Sequence, residues 1–184
     1  MEQGFIRVAA ATPQIRVAYP EYNAGQIVKL MEEGAKNHAK VMVFPELCLT
    51  GYTCGDVFLQ DSLLRSAVSQ LAVIMRESQN LDIIAFVGLP ILHEGKLYNA
   101  AAVISGGRLL GIVPKRNIPN YSEFYELRHF TPGSLKPVWA EFLGQKVPMG
   151  ANLLFRCTTV PGLVLAAEIC EDVWVPCPPS ISHT

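Results

Sequence analysis

Between residues 82 and 115 lie three apolar runs, "DIIAFVGLPIL" (82–92), "KLYNAAAVIS" (96–105) and "RLLGIVPK" (108–115), parted only by "HEG" and "GG". Connections this short and glycine-containing predict consecutive antiparallel strands joined by hairpin turns. The "GG" pair is read as a turn and not as a phosphate loop, because no helical pattern follows it. Upstream, the period is different. A strand is expected over 5–12 ("FIRVAAAT"), buried by its composition. A helix is expected over 21–39, where Ile27, Leu30 and Met31 recur at helical spacing. A short strand, "VMVF" (41–44), is closed by Pro45. A second helix is expected to start from Asp61 as N-cap, with Leu63, Leu64, Ala67, Val68, Leu71, Ile74 and Met75 on one face. Strand-helix-strand-helix followed by a meander implies an α/β layer fold, its sheet covered by helices on one side. Residues 116–150 read as irregular, and two further strands are expected over 152–157 and 162–170.

Hydrophobic residues make up 50% of the 184 and charged residues 17%, enough for a buried core in one domain. The formal net charge of −1 and the lack of a basic cluster exclude a nucleic-acid or anionic-membrane surface. No apolar run has the roughly 18 residues of a membrane span, and the N-terminal stretch lacks the pattern of a signal peptide. The five cysteines include no Cys-x-x-Cys pair, and the four histidines are scattered. A reduced, cytoplasmic protein without a structural metal is therefore expected.

Three strands end in chemistry. "VMVFPE" ends at Glu46, "LLGIVPK" at Lys115 and "LVLAAEIC" at Cys170. Loops at strand ends are where reactive groups gather in open α/β sheets. Prolines 45 and 114 precede the first two side chains and fix the direction in which each leaves the sheet. Taken singly, each residue has an ordinary reading: a solvated carboxylate, a surface lysine, a buried apolar thiol. Together a carboxylate base, a cation and a thiol make an apparatus for acyl transfer. One feature runs against this. Glu171 and Asp172 follow Cys170 directly, and neighbouring carboxylates raise a thiol's pKa.

The order Glu, Lys, Cys in "FPE", "VPK" and "CED" resembles the nitrilase, or carbon–nitrogen hydrolase, superfamily. Three longer stretches, "FPELCLTGYTCGDVF" (44–58), "VPKRNIPNYSEFYELRHFTPG" (113–133) and "CEDVWVPCPPS" (170–180), are similar to the amidase domain of glutamine-dependent NAD synthetases. Where stand-alone nitrilases have Lys-x-His-Leu, this sequence has Asn-Ile-Pro-Asn-Tyr after Arg116. The resemblance implies one nitrilase-like glutaminase domain over 1–184, an α-β-β-α sandwich that is C-terminally truncated. In the family further strands and helices follow the nucleophile, and then an ATP-dependent synthetase domain, to which ATP and Mg belong; the amidase domain needs no cofactor.

The resemblance also implies roles. Glu46 is the general base, Cys170 the nucleophile and Lys115 the stabiliser of the oxyanion, with Glu126 buttressing the lysine. The substrate is L-glutamine, and its ammonia is passed to the synthetase domain of the same polypeptide. Glu171 is expected either to bind the α-ammonium of glutamine or to be a strand-end acid bonded to backbone N–H groups. Tyr121 falls in the glutamine-binding stretch. Tyr52, Phe124 and Trp174 are expected as pocket walls or as ordinary packing. A homo-oligomer is expected, and an isolated 184-residue chain is expected to be a poor glutaminase. The competing readings are a stand-alone amidase on another small amide and a non-catalytic assembly fragment.

Overall fold

A computed structural model describes residues 5–183. The first four residues of the N-terminal stretch, and Thr184, lie outside them. Seven strands form one sheet in the order β1-β2-β3-β4-β5-β7-β6. The strands are β1 (Val8–Ala10), β2 (Val41–Val43), β3 (Ile84–His93), β4 (Lys96–Ser105), β5 (Arg108–Pro114), β6 (Val138–Phe142) and β7 (Gln145–Met149). Helix α1 (Pro20–Lys36) joins β1 to β2, and α2 (Asp61–Glu77) precedes β3. These crossovers make β1-β2-β3 parallel, whereas β3-β4-β5 is the antiparallel meander. Both of its turns are two-residue loops with positive φ at each position, Glu94-Gly95 and Gly106-Gly107. That is the twist-matched geometry that glycine makes accessible.

Helix α1 begins with proline at its first position, where a missing N–H costs no hydrogen bond. Asp61 starts α2 but does not cap it. Gln60 takes the N-cap position, and Asp61 pairs instead with Arg65 one turn on. Both helices bury their apolar stripes on the same sheet face: Ile27 and Met31 from α1, Leu71 and Ile74 from α2, against Met42, Val87, Leu89, Ala102 and Ile112. Each large side chain buried in this way contributes about 1.5–3 kcal/mol. This face is the main core. The helix-covered sheet expected from the alternation of patterns is present.

The opposite face carries Phe86, Val103 and Val113, covered by Leu153, Phe155 and Leu165. Phe155 and Leu165 come from two short antiparallel strands, β8 (Phe155–Arg156) and β9 (Val164–Leu165), which form a second sheet; Leu153 lies just before β8. Residues 152–157 and 162–170 are thus paired as strand in only two positions each, because no further strand among the described residues lies beside them. Strand β1 is likewise shorter than expected and is not buried. It lies at the sheet edge, where Val8 is 63% exposed and Val43 beside it 49%. The segment read as irregular contains the β6-β7 hairpin, turned at Leu143-Gly144 with positive φ at both. Among the described residues no helix is long and apolar enough to cross a membrane.

Candidate active site

Glu46 stands three residues beyond β2, in a turn that lies against β3 rather than at a strand terminus. The turn is held by the N–H of Leu49 donating to the Gly88 carbonyl at 3.0 Å and by Gly51 N–H to Leu47 at 2.7 Å. Leu47 itself has φ +53. A side chain at Gly88 would put a Cβ 2.5 Å from Leu47 N and Pro45 O, so only glycine lets the Glu46 turn approach this closely. Lys115 follows β5 directly. Its N–H continues the ladder to the Asn99 carbonyl at 2.7 Å, and its own carbonyl accepts from Gly133 N–H at 2.8 Å. Gly133 is required for a similar reason, since its Cβ would lie 2.7 Å from Pro114 Cγ. Glu126 opens a single 3-10 turn, Glu126–Arg128, pinned at its end by Phe130 packing on Phe58 with ring centroids 5.0 Å apart. Asp56 holds the same turn from outside, accepting from Arg128 Nε at 2.6 Å and contacting His129 Nε2 at 3.0 Å.

These three segments converge. Lys115 Nζ, with no exposed side-chain surface, donates to Glu46 Oε1 at 2.6 Å and to Glu126 Oε1 and Oε2 at 2.8 and 3.0 Å. Burial alone would depress the lysine pKa, but the two carboxylates outweigh it and hold it above the ordinary value. One cation facing two carboxylates leaves an excess of negative charge, and neutral donors stabilise it. The Tyr52 hydroxyl donates to Glu126 Oε1 at 2.8 Å. Asn99 Nδ2, on β4, donates to Glu46 Oε1 and to Glu126 Oε2, the second at 3.3 Å. Asn99 was not singled out in the sequence. A polar residue inside the apolar run "LYNAAAVIS", here buried at 1% exposure with its Oδ1 unpartnered, is the signal that could have found it.

Cys170 does not end a strand. After β9 the chain runs extended without a partner, and Cys170 begins the 3-10 turn Cys170–Val173 at φ +48. A left-handed conformation costs a non-glycine residue about 1–3 kcal/mol and is concentrated at functional sites. The thiol is solvent-accessible. Partial burial raises its pKa above the ordinary value, the charge of Glu46 adds to this, and Lys115 opposes it; Glu46 also serves as its hydrogen-bond partner. Glu46, Lys115, Glu126 and Cys170 therefore share one site.

The two acids after the thiol differ in use. Glu171 accepts from the Tyr121 hydroxyl at 2.8 Å at the surface. Asp172, not Glu171, is the acid bonded to backbone N–H groups. Beside them a cleft of about 440 Å³ is lined by Arg116, Asn117, Ile118, Tyr121, Leu127 and Glu171. Phe124 packs edge-on against Tyr121 at 5.8 Å. Trp174 is not brought into a pocket wall, being 77% exposed. A larger cavity, about 660 Å³, opens between the sheet and β8–β9 and contains none of the candidate catalytic side chains.

A buried lysine between two glutamates beneath an accessible thiol, beyond the ends of interior strands of a sheet with helices on one face, has the groups that cysteine-dependent acyl transfer of the carbon–nitrogen hydrolase type requires. Comparison with known proteins agrees: the carbon-nitrogen hydrolase family model matches residues 7–179, and the chain belongs to that family. It is 42% identical over 179 residues to the glutamine-dependent NAD(+) synthetase of Mycobacterium tuberculosis, a match covering 97% of this chain and 26% of that protein. The crystal structure of a glutamine-dependent NAD(+) synthetase from Cytophaga hutchinsonii superposes with a TM-score of 0.83 at 28% identity, covering 90% of this chain and 28% of that one. An amidase from Nesterenkonia, 21% identical, shares the fold with a TM-score of 0.60, covering 78% of this chain and 54% of that one. The chain spans about a quarter of the length of the NAD synthetases it matches.

Proposed function

We propose that residues 1–184 are part of the glutamine-hydrolysing domain of a glutamine-dependent NAD synthetase. The observation that carries this reading is the Glu46–Lys115–Glu126 cluster lying under Cys170. The cleft residues Tyr121 and Glu171 support the choice of substrate, because glutamine brings an α-ammonium and Glu171 is an accessible carboxylate beside the nucleophile.

In this reading Glu46 takes the thiol proton as sulfur attacks the amide carbon of glutamine. The geometry links this transfer to the lysine. At rest Lys115 spends its N–H groups on Glu46 and Glu126. Protonation of Glu46 weakens its hold on Nζ, which frees a donor for the oxyanion as that charge develops. Glu46 then returns the proton to the leaving ammonia. Water, deprotonated by Glu46, attacks the γ-glutamyl thioester; glutamate departs and the thiol is restored. Glu126 and Tyr52 keep Lys115 charged and fixed. The ammonia serves an ATP-dependent synthetase domain, where ATP and Mg act, in a cytoplasmic homo-oligomer.

The test is ammonia release from glutamine against other ω-amides, with Cys170→Ala as control. In a version carrying the synthetase domain, Cys170→Ala is expected to abolish glutamine-dependent NAD synthesis and spare the ammonia-dependent reaction. Equal loss of both would make the cysteine structural. Preference for another amide would favour the stand-alone amidase.

A further inference from the structure

Asp172 is 2% exposed and has no cationic partner among the described residues. Its carboxylate is instead surrounded by N–H donors. Ile169 N–H reaches Oδ2 at 3.2 Å within the same turn. The other bonds cross to a distant part of the chain. Arg116 N–H lies 3.1 and 3.3 Å from the two oxygens, Asn117 N–H donates to Oδ1 at 2.7 Å, and Asn117 Nδ2 donates to it at 2.9 Å. Arg116 and Asn117 are the two residues immediately after Lys115. One carboxylate thus grips the turn that carries the thiol and the backbone that carries the ammonium.

We infer that Asp172 is a positioning residue that sets Cys170 over the Lys115–Glu46 pair. Capping the short turn would need only the Ile169 bond. The three donors from Arg116 and Asn117 do nothing for the turn itself, but they fix where it sits relative to β5. Every partner of the carboxylate is a donor, and no neutral side chain of this size accepts from four N–H groups. The clamp also accounts for the left-handed φ of Cys170, since such a backbone persists only where its surroundings dictate it. The acid two residues from the thiol therefore acts through the backbone and does not serve as a base. This inference deepens the proposed function, in which Cys170 and Lys115 meet at one carbonyl, but its geometry stands independently of the substrate.

The experiment follows alkylation of Cys170 by iodoacetamide against pH in the 184-residue chain. Peptide mass mapping separates it from Cys177, which is followed as an internal control. The groups facing the thiol are Glu46, Lys115, Glu126 and Tyr52; partial burial and the charges of Glu46 and Glu126 hold its pKa up, and Lys115 opposes them. Asp172→Asn turns one acceptor into a donor that opposes the N–H groups around it. Release of the turn is expected to lower the alkylation midpoint of Cys170 toward that of an ordinary thiol, about 8.5, with Cys177 unmoved. Asp172→Glu keeps the charge and is expected to shift the midpoint less than Asn does. A wild-type midpoint in folded Asp172→Asn overturns the inference, as does an equal shift at Cys177. Should Asp172→Asn fail to fold, Asn117→Ala decides, because it deletes one donor only: a smaller shift in the same direction supports the clamp, and no shift overturns it. A clamp that passes this test, in a protein whose version carrying the synthetase domain ignores glutamine, would refute the proposed function and leave the clamp standing.

Discussion

At the residue scale the thiol needs a base. Its surroundings raise its pKa, so near neutral pH it is protonated, and Glu46 stands where it can take that proton. Alkylation of Cys170 is therefore expected to have a midpoint above about 8.5, the ordinary thiol value, and Glu46→Gln is expected to lower it by removing the nearest negative charge. The same substitution should cut amide hydrolysis by about 10²–10⁴-fold, the usual contribution of a positioned base. A raised midpoint in Glu46→Gln would contradict the assignment. Asn99→Leu strips both carboxylates of a donor and is expected to destabilise the fold by about 1–3 kcal/mol, as read by urea denaturation. That Glu46, Lys115 and Cys170 meet was legible because they stand in ordered motifs. Asn99 and Asp172 were not, because their roles depend on partners 53 and 55 residues away that no local pattern connects. Trp174, expected as a wall or as ordinary packing, follows the 3-10 turn and is exposed to solvent.

At the element scale, close approach decides where Glu46 sits against Lys115 and Cys170. Gly88→Ala must push Pro45 and Leu47 backbone away from β3 and move Glu46 with them. Overpacking of this kind costs about 1–3 kcal/mol, and the expected signature is a loss of hydrolysis larger than the loss of thermal stability. Alanine at Gly25, where nothing lies within 4 Å of a Cβ, is the matched control. The meander was readable because each turn is a two-residue loop with glycine in it. The β6-β7 hairpin was missed because its turn is Leu143-Gly144 and Pro148 interrupts β7, which reads as a breaker. The strand expected up to Cys170 failed on pairing: apolar composition favours extension, but β-structure needs a neighbour to accept its hydrogen bonds.

For the whole molecule, the layers explain what this length of chain can do. The helix-covered face is closed, whereas on the other face Leu153, Phe155 and Leu165 cover Phe86, Val103 and Val113, and Val8 and Val43 are exposed. Just after the nucleophile Val173 and Trp174 are exposed as well. A pocket so open holds a substrate loosely, and loss of near-attack geometry slows acyl transfer. The 184-residue chain is therefore expected to hydrolyse glutamine more slowly than a version extended by about a hundred residues, the comparison being made at equal active-site concentration; comparable turnover would show the open face to be without consequence. The central claim is that Cys170, activated by Glu46 and Lys115, attacks the side-chain amide of glutamine. Its most direct test is labelling with a diazoketone analogue of glutamine, followed by peptide mass mapping. The account predicts an adduct on Cys170, suppressed by excess glutamine and absent in Glu46→Gln; label spread equally over Cys157 and Cys177, or a folded chain left unlabelled at Cys170, would contradict it.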